Sequence, residues 1–143
     1  MKTRTLLLLS VVMALAILMA GGVFLVQLAN EQAAVEPTPL GQVTEVGDVS
    51  VTVFGVVDGT EVLGIDVELG GVDDIDGVES FRLVTGDQSL VPESAPADGR
   101  CTEITEEVQQ CLIEFDVSAV ETSSRFLVMR RGDEQRNWVL PDR

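Results

Sequence analysis

An all-β antiparallel sandwich preceded by one N-terminal transmembrane helix is the fold class this sequence predicts, and three observations predict it. Residues 5–26 are twenty-two consecutive residues without a charge, behind Lys2 and Arg4. Beyond residue 42, short apolar stretches alternate with polar residues at period two, separated by glycine- and aspartate-containing turns. No segment in that region carries the i, i+3, i+4 apolar stripe of an amphipathic helix.

The uncharged run matches the length a bilayer core demands, about 20 apolar residues at about 1.5 Å rise each. Ala20, Gly21 and Gly22 offer a cleavage site for a secretory signal. Cleavage after Gly22 would leave Val23, Phe24, Leu25 and Val26 as an exposed apolar tail. An uncleaved signal-anchor spanning residues 1–29 is therefore the preferred reading, with secretion after cleavage as the alternative. No cysteine lies near the end of the run, which excludes a lipid-modified N-terminal cysteine. With both basic residues on the short side, the positive-inside rule keeps that side cytoplasmic and exports the rest.

From Asn30 onward the chain holds seven Arg against twenty-four Asp and Glu, with no Lys and no His, a net of −17. Such a surface repels nucleic acid and anionic headgroups, and it keeps an exported domain soluble. Residues 30–42 contain Pro37, Pro39 and Gly41 without periodicity and read as a fairly stiff linker. Residues 43–143 then supply enough chain for one modest core.

Within that region Val49, Val51 and Val53 alternate with Ser50 and Thr52, the first predicted strand. Ile65, Val67 and Leu69 repeat the pattern, with Asp66 and Glu68 on a wet opposite face. Further strands are predicted at 81–85, 111–117, 125–130 and 137–140. Turn chemistry at 58–59, 70–71, 86–87, 98–99 and 132–133 separates them. Short strands at this spacing favour a sandwich over a βαβ fold, and the last two strands read as one hairpin. Trp138, the only tryptophan, falls within a strand pattern and reads as a core anchor rather than an exposed recognition aromatic.

Cys101 and Cys111, the only cysteines, have nine residues between them in an exported context and read as a structural disulfide. A redox pair favours the closer Cys-x-x-Cys spacing and a basic neighbourhood. Here Glu103, Glu106 and Glu107 crowd the loop.

The strand at 81–84, Pro92, the Cys101 and Cys111 pair feeding residues 113–117, and the turn at 130–134 before Trp138 together resemble a known group. It comprises bacterial exported domains with a telokin-like, immunoglobulin-like sandwich behind a membrane anchor or signal. The resemblance covers residues 43–140 and implies an immunoglobulin-like fold and export. It supplies no enzyme activity and no binding residues, and the cysteine pair is not uniform in the group.

The absence of histidine rules out Ser-His-Asp and Cys-His catalysis and imidazole metal ligation. No nucleophile elbow, Walker loop or dinucleotide fingerprint occurs. The strongest site candidate is the acidic loop, in which Asp73, Asp74, Asp76 and Glu79 offer oxygen ligands to Ca²⁺. Its register fails as an EF-hand: with Gly77 at the sixth position, Val72 holds the first and Leu83 the twelfth. Arg131, Gly132 and Asp133 spell an adhesion tripeptide, but Gly-Asp is ordinary turn chemistry, and arginines there are expected to pair with carboxylates.

The sequence thus predicts a single-pass, membrane-anchored extracytoplasmic protein whose acidic domain is a non-catalytic binding or accessory module. It calls for the membrane and an unidentified protein as partners, no nucleic acid and no cofactor. A Ca²⁺-dependent module using residues 73–79 is the alternative. A small hydrolase working with two carboxylates is the third reading.

Overall fold

The computed structural model describes residues 2–32, 36–121 and 123–142. The chain divides into two compact units, Met1–Val35 and Glu36–Arg143.

The first unit is helix α1, Thr3–Gln32. Leu, Ala and Met dominate it and no proline interrupts it, a composition with high helix propensity. Its Thr3–Leu28 segment is long and apolar enough to cross a membrane, and none of it is buried by protein. A helix that is apolar all round is suited to lipid rather than to one protein partner. The helix reaches Gln32, past the predicted linker start at Asn30, and linker residues 33–35 lie outside the described residues.

The second unit has eight strands: β1 (Thr44–Val46), β2 (Val49–Asp58), β3 (Val62–Gly70), β4 (Phe81–Thr85), β5 (Gln88–Leu90), β6 (Gln109–Asp116), β7 (Phe126–Arg131) and β8 (Glu134–Val139). They pair antiparallel into two four-stranded sheets, ordered β1-β2-β3-β6 and β5-β4-β7-β8. All six predicted strands are present. Strands β1 and β5, three residues each, are too short to show a period and went unpredicted.

Both sheets bury alternate side chains in a single core. Val51, Val53, Ile65, Val67, Ile113 and Phe115 come from one sheet and Phe81, Leu83, Leu127, Met129 and Trp138 from the other, all fully buried. Trp138 is the core anchor its strand position predicts, and β7 and β8 form the predicted hairpin. Strand β2 outruns its prediction because the register shifts between Val53 and Gly55. The bulge turns Phe54 outward and returns Val56 to the core.

The second half of the predicted linker is fastened down. Thr38 N–H donates to Asn137 C=O at 2.7 Å on β8, and Gly41 N–H to Val53 C=O at 2.7 Å on β2. One short segment therefore covers the β8 edge of one sheet and, in the other, pairs with β2 just beyond the point where β1 stops at Val51. The free edge of β6 is covered as well: Leu112 C=O accepts Cys101 N–H at 2.8 Å, and Glu114 C=O accepts Glu93 N–H at 2.8 Å.

Candidate functional site

The acidic loop lies between β3 and β4 and is stitched to the 104–106 segment. Asp74 and Ile104 exchange two backbone hydrogen bonds, at 2.8 and 2.9 Å. Asp73 Oδ1 accepts the Glu106 N–H at 3.0 Å. Asp74 Oδ1 accepts the Asp76 N–H at 3.1 Å, while its Oδ2 pairs with Arg131 Nη1 at 2.5 Å. The chain then enters a single 3₁₀ turn, Gly77–Ser80. Gly77 is needed there, because a Cβ would stand 2.6 Å from Ile104 Cδ1.

This stitching divides the four carboxylates proposed as calcium ligands. Asp73 and Asp74 are engaged as hydrogen-bond acceptors for the protein itself, whereas Asp76 and Glu79 point no described bond from their carboxylates. Among the described residues, no group of three or more His, Cys, Asp or Glu side chains is placed to hold a metal ion.

Asp76 and Glu79 instead line a cavity of about 180 Å³, with Glu93 as a third carboxylate. One wall is the acidic loop and 3₁₀ turn; the other is formed by 92–94 and by Cys101 and Thr102. Val78 and Cys101 are buried beneath it, and Pro92 and Ile75 contribute apolar surface at its margin. Ile75, 77% exposed, is the most exposed large apolar side chain described. Both walls are held by the fold. The Glu93 and Cys101 amides bond to β6, and the sulfurs of Cys101 and Cys111 lie at bonding distance, 1.98 Å. Glu93 escaped the sequence reading because thirteen residues separate it from Glu79 and only the crossing between sheets brings the two segments to one cavity.

The adhesion-like tripeptide proves to be part of the scaffold. Gly132 takes the positive φ of +56° at the turn between β7 and β8. Arg131, mostly buried, reaches Asp74 at 2.5 Å and Asp48 at 2.8 Å, the carboxylate pairing expected of it. Gly47 in the β1–β2 turn packs so close that a Cβ would lie 3.1 Å from Arg131 Cβ, and its N–H donates to Glu134 Oε2 at 2.9 Å. The Arg131 hydrogen bond holds the Asp48 carboxyl below its ordinary range, against the opposing effect of burial. Arg131 is in turn driven above its ordinary value, first by Asp74 and then by Asp48.

Arg125 is buried, 6% exposed, donating to Asp58 Oδ1 at 2.5 Å and to Pro141 C=O at 2.9 Å. The cavity beside it, about 30 Å³, is too small for a ligand. Compared with protein-family models, curated proteins and solved structures, the chain matches none.

Proposed function

We propose that this chain is a single-pass membrane protein whose C-terminal unit is an acidic, immunoglobulin-like domain outside the membrane, acting as a non-catalytic binding or accessory module. The observation that carries the reading is the Thr3–Leu28 helix, long and apolar enough to cross a membrane and exposed throughout, joined to a β unit with its own core. The charge pattern supports the orientation, with Lys2 and Arg4 on the short side and the acidic residues all on the other.

The strand order supports the immunoglobulin-like assignment. Strands β8, β7, β4 and β5 take the G-F-C-C′ order, and β2, β3 and β6 take A-B-E, with β1 as an added edge strand. The hallmarks of antibody domains are replaced: the buried Trp138 lies on β8 rather than the third strand of the series, the cysteine pair does not bridge the sheets' central strands, and there is no tyrosine. The non-catalytic reading rests on size and composition. At the acidic loop the cavity of about 180 Å³ is below the about 300–1,000 Å³ that encloses a small molecule, and no histidine exists to serve as base.

Membrane fractionation with alkaline carbonate, external protease digestion and intact mass tests this reading. Retention in the membrane pellet, digestion from outside and an uncleaved mass are expected. Release by carbonate with a mature chain starting at Val23 replaces the anchored reading with the secreted one.

A further inference from the structure

The geometry points to a second copy of this chain as the partner of the outer face of the sheet β5-β4-β7-β8. This rests on the reading of an anchored binding module and names what that module binds.

Strand register sorts the outward side chains of this sheet into three rows. Ser89, Val84, Phe126 and Val139 lie opposite one another in the first, Arg82, Val128 and Asn137 in the second, and Arg130 and Gln135 in the third. The residues alternating with them, such as Leu83, Leu127, Met129 and Trp138, are buried in the core. No row contains a carboxylate, in a unit that carries twenty-four. The outer face of the other sheet, by contrast, presents Asp66, Glu68, Glu114 and Asp116. Phe126 and Val139 remain 36% and 47% exposed. Arg130 is exposed and has no hydrogen bond or ion pair among the described residues. Arg82, diagonal to it across the register, donates to the carbonyls of Glu79 and Phe81. One end of an apolar face thus holds two neighbouring arginines and no counter-charge. Two chains this acidic approach one another at least electrostatic cost where neither presents carboxylates.

The face is also complementary to itself. Beyond the Val84 row, at the end opposite Arg130, the sheet is acidic: Asp87 in the β4–β5 turn and Glu121 line one cavity of about 330 Å³. A twofold axis between two copies, running across the strands between the first and second rows, lays each copy's Val84, Phe126 and Val139 on the other's Val128 row. It also brings each Arg130 toward the other's Asp87 turn, so every contact is made twice, as an isologous interface requires. An acidic partner protein would satisfy Arg130 but oppose Asp87; a second copy answers both. Four strands about 4.8 Å apart and six residues at about 3.3 Å each make a face of about 400 Å², half the about 800 Å² per partner of a standard interface. The dimer is therefore weak in dilute solution and forms where the membrane helix confines the chains.

The test is energy transfer between full chains labelled at the C-terminus with donor or acceptor, in phosphatidylcholine vesicles over a range of protein-to-lipid ratios. Transfer above the level set by random proximity is expected. Phe126→Ser is expected to weaken association about tenfold. Arg130→Asp and Asp87→Arg are each expected to weaken it about fivefold or more, since each sets like charges together at two symmetric contacts. Asp87→Arg separates this contact from general repulsion, because it makes the chain less acidic and yet is expected to weaken association. Combining Arg130→Asp with Asp87→Arg restores the native net charge and both contacts, and recovery to within about twofold of the native chain is expected. None of the three positions belongs to the core, and an unchanged circular dichroism spectrum verifies each fold.

Transfer at the random level for the native chain overturns the proposal and leaves the face to an acidic protein partner. Transfer that none of the single substitutions alters overturns it in favour of association through the membrane helix. Failure of the double exchange to recover overturns it as well. Anchoring is judged separately by flotation: a chain that does not float with the vesicles loses the anchored reading, and its association is then read with the same variants by sedimentation equilibrium in solution.

Discussion

Arg131 is the residue on which three separate stretches of chain depend. It touches Asp48 in the β1–β2 turn and Asp74 in the acidic loop from the end of β7. Replacing it by glutamine leaves Asp74, a half-buried carboxylate, without its cation, so Arg131→Gln is expected to lower the melting temperature where Arg130→Gln, on the exposed neighbour, does not. The pH dependence has a definite sign. Asp48 has a folded-state pKa below its ordinary 3.8, so its contribution is complete above that value and is lost as the pH falls through the lower folded value. Asp116, lowered by its hydrogen bonds to Ser118, adds in the same direction. Melting curves from pH 6 down to about pH 3 are expected to fall more steeply for the native chain than for Arg131→Gln. Equal slopes would show that the pairing contributes nothing to stability. The sequence made the Arg131 pairing foreseeable from charge alone. Which carboxylates receive it was not legible, since Asp48 and Asp74 are eighty-three and fifty-seven residues distant.

Among the elements, the short segment holding Thr38 and Gly41 departs furthest from its local appearance. Two prolines and a glycine make it look like a spacer, yet it ties β8 to β2 at the seam between the sheets. Each such backbone bond contributes about 0.5–1.5 kcal/mol net. Residues 36–143 are therefore expected to exceed residues 43–143 in unfolding free energy by about 1–3 kcal/mol, read by urea denaturation with an unchanged slope. Equal stability would return the segment to the role of a loose tether. The longer strands were legible because period-two burial over five or more residues leaves a trace in composition. Strands β1 and β5 are held by partners already in the sheets and carry no pattern of their own.

At the scale of the whole molecule, the imbalance of charge outweighs the pairing of charge. The described ion pairs number four, against twenty-four acidic residues in the chain. Self-repulsion therefore dominates, and the melting temperature of residues 36–143 is expected to rise as NaCl increases from about 20 to about 200 mM and the screening length shortens from about 20 to about 7 Å. A fall over that range would mean that the ion pairs at Arg100, Arg125 and Arg131 contribute more than the repulsion costs.

By itself the sequence determined the apolar N-terminal helix, the β class of the remainder, six strands, the cysteine pair and the burial of Trp138. Each of these is written in neighbouring residues, as run length, periodicity or spacing. Only the tertiary structure decided the order of strands in two sheets, the docking of residues 38–41, the partition of the acidic loop and the cavity that Glu93 completes. These depend on which segments meet after the chain crosses between sheets, and a carboxylate carries no local mark of whether an amide, an arginine or only solvent will face it.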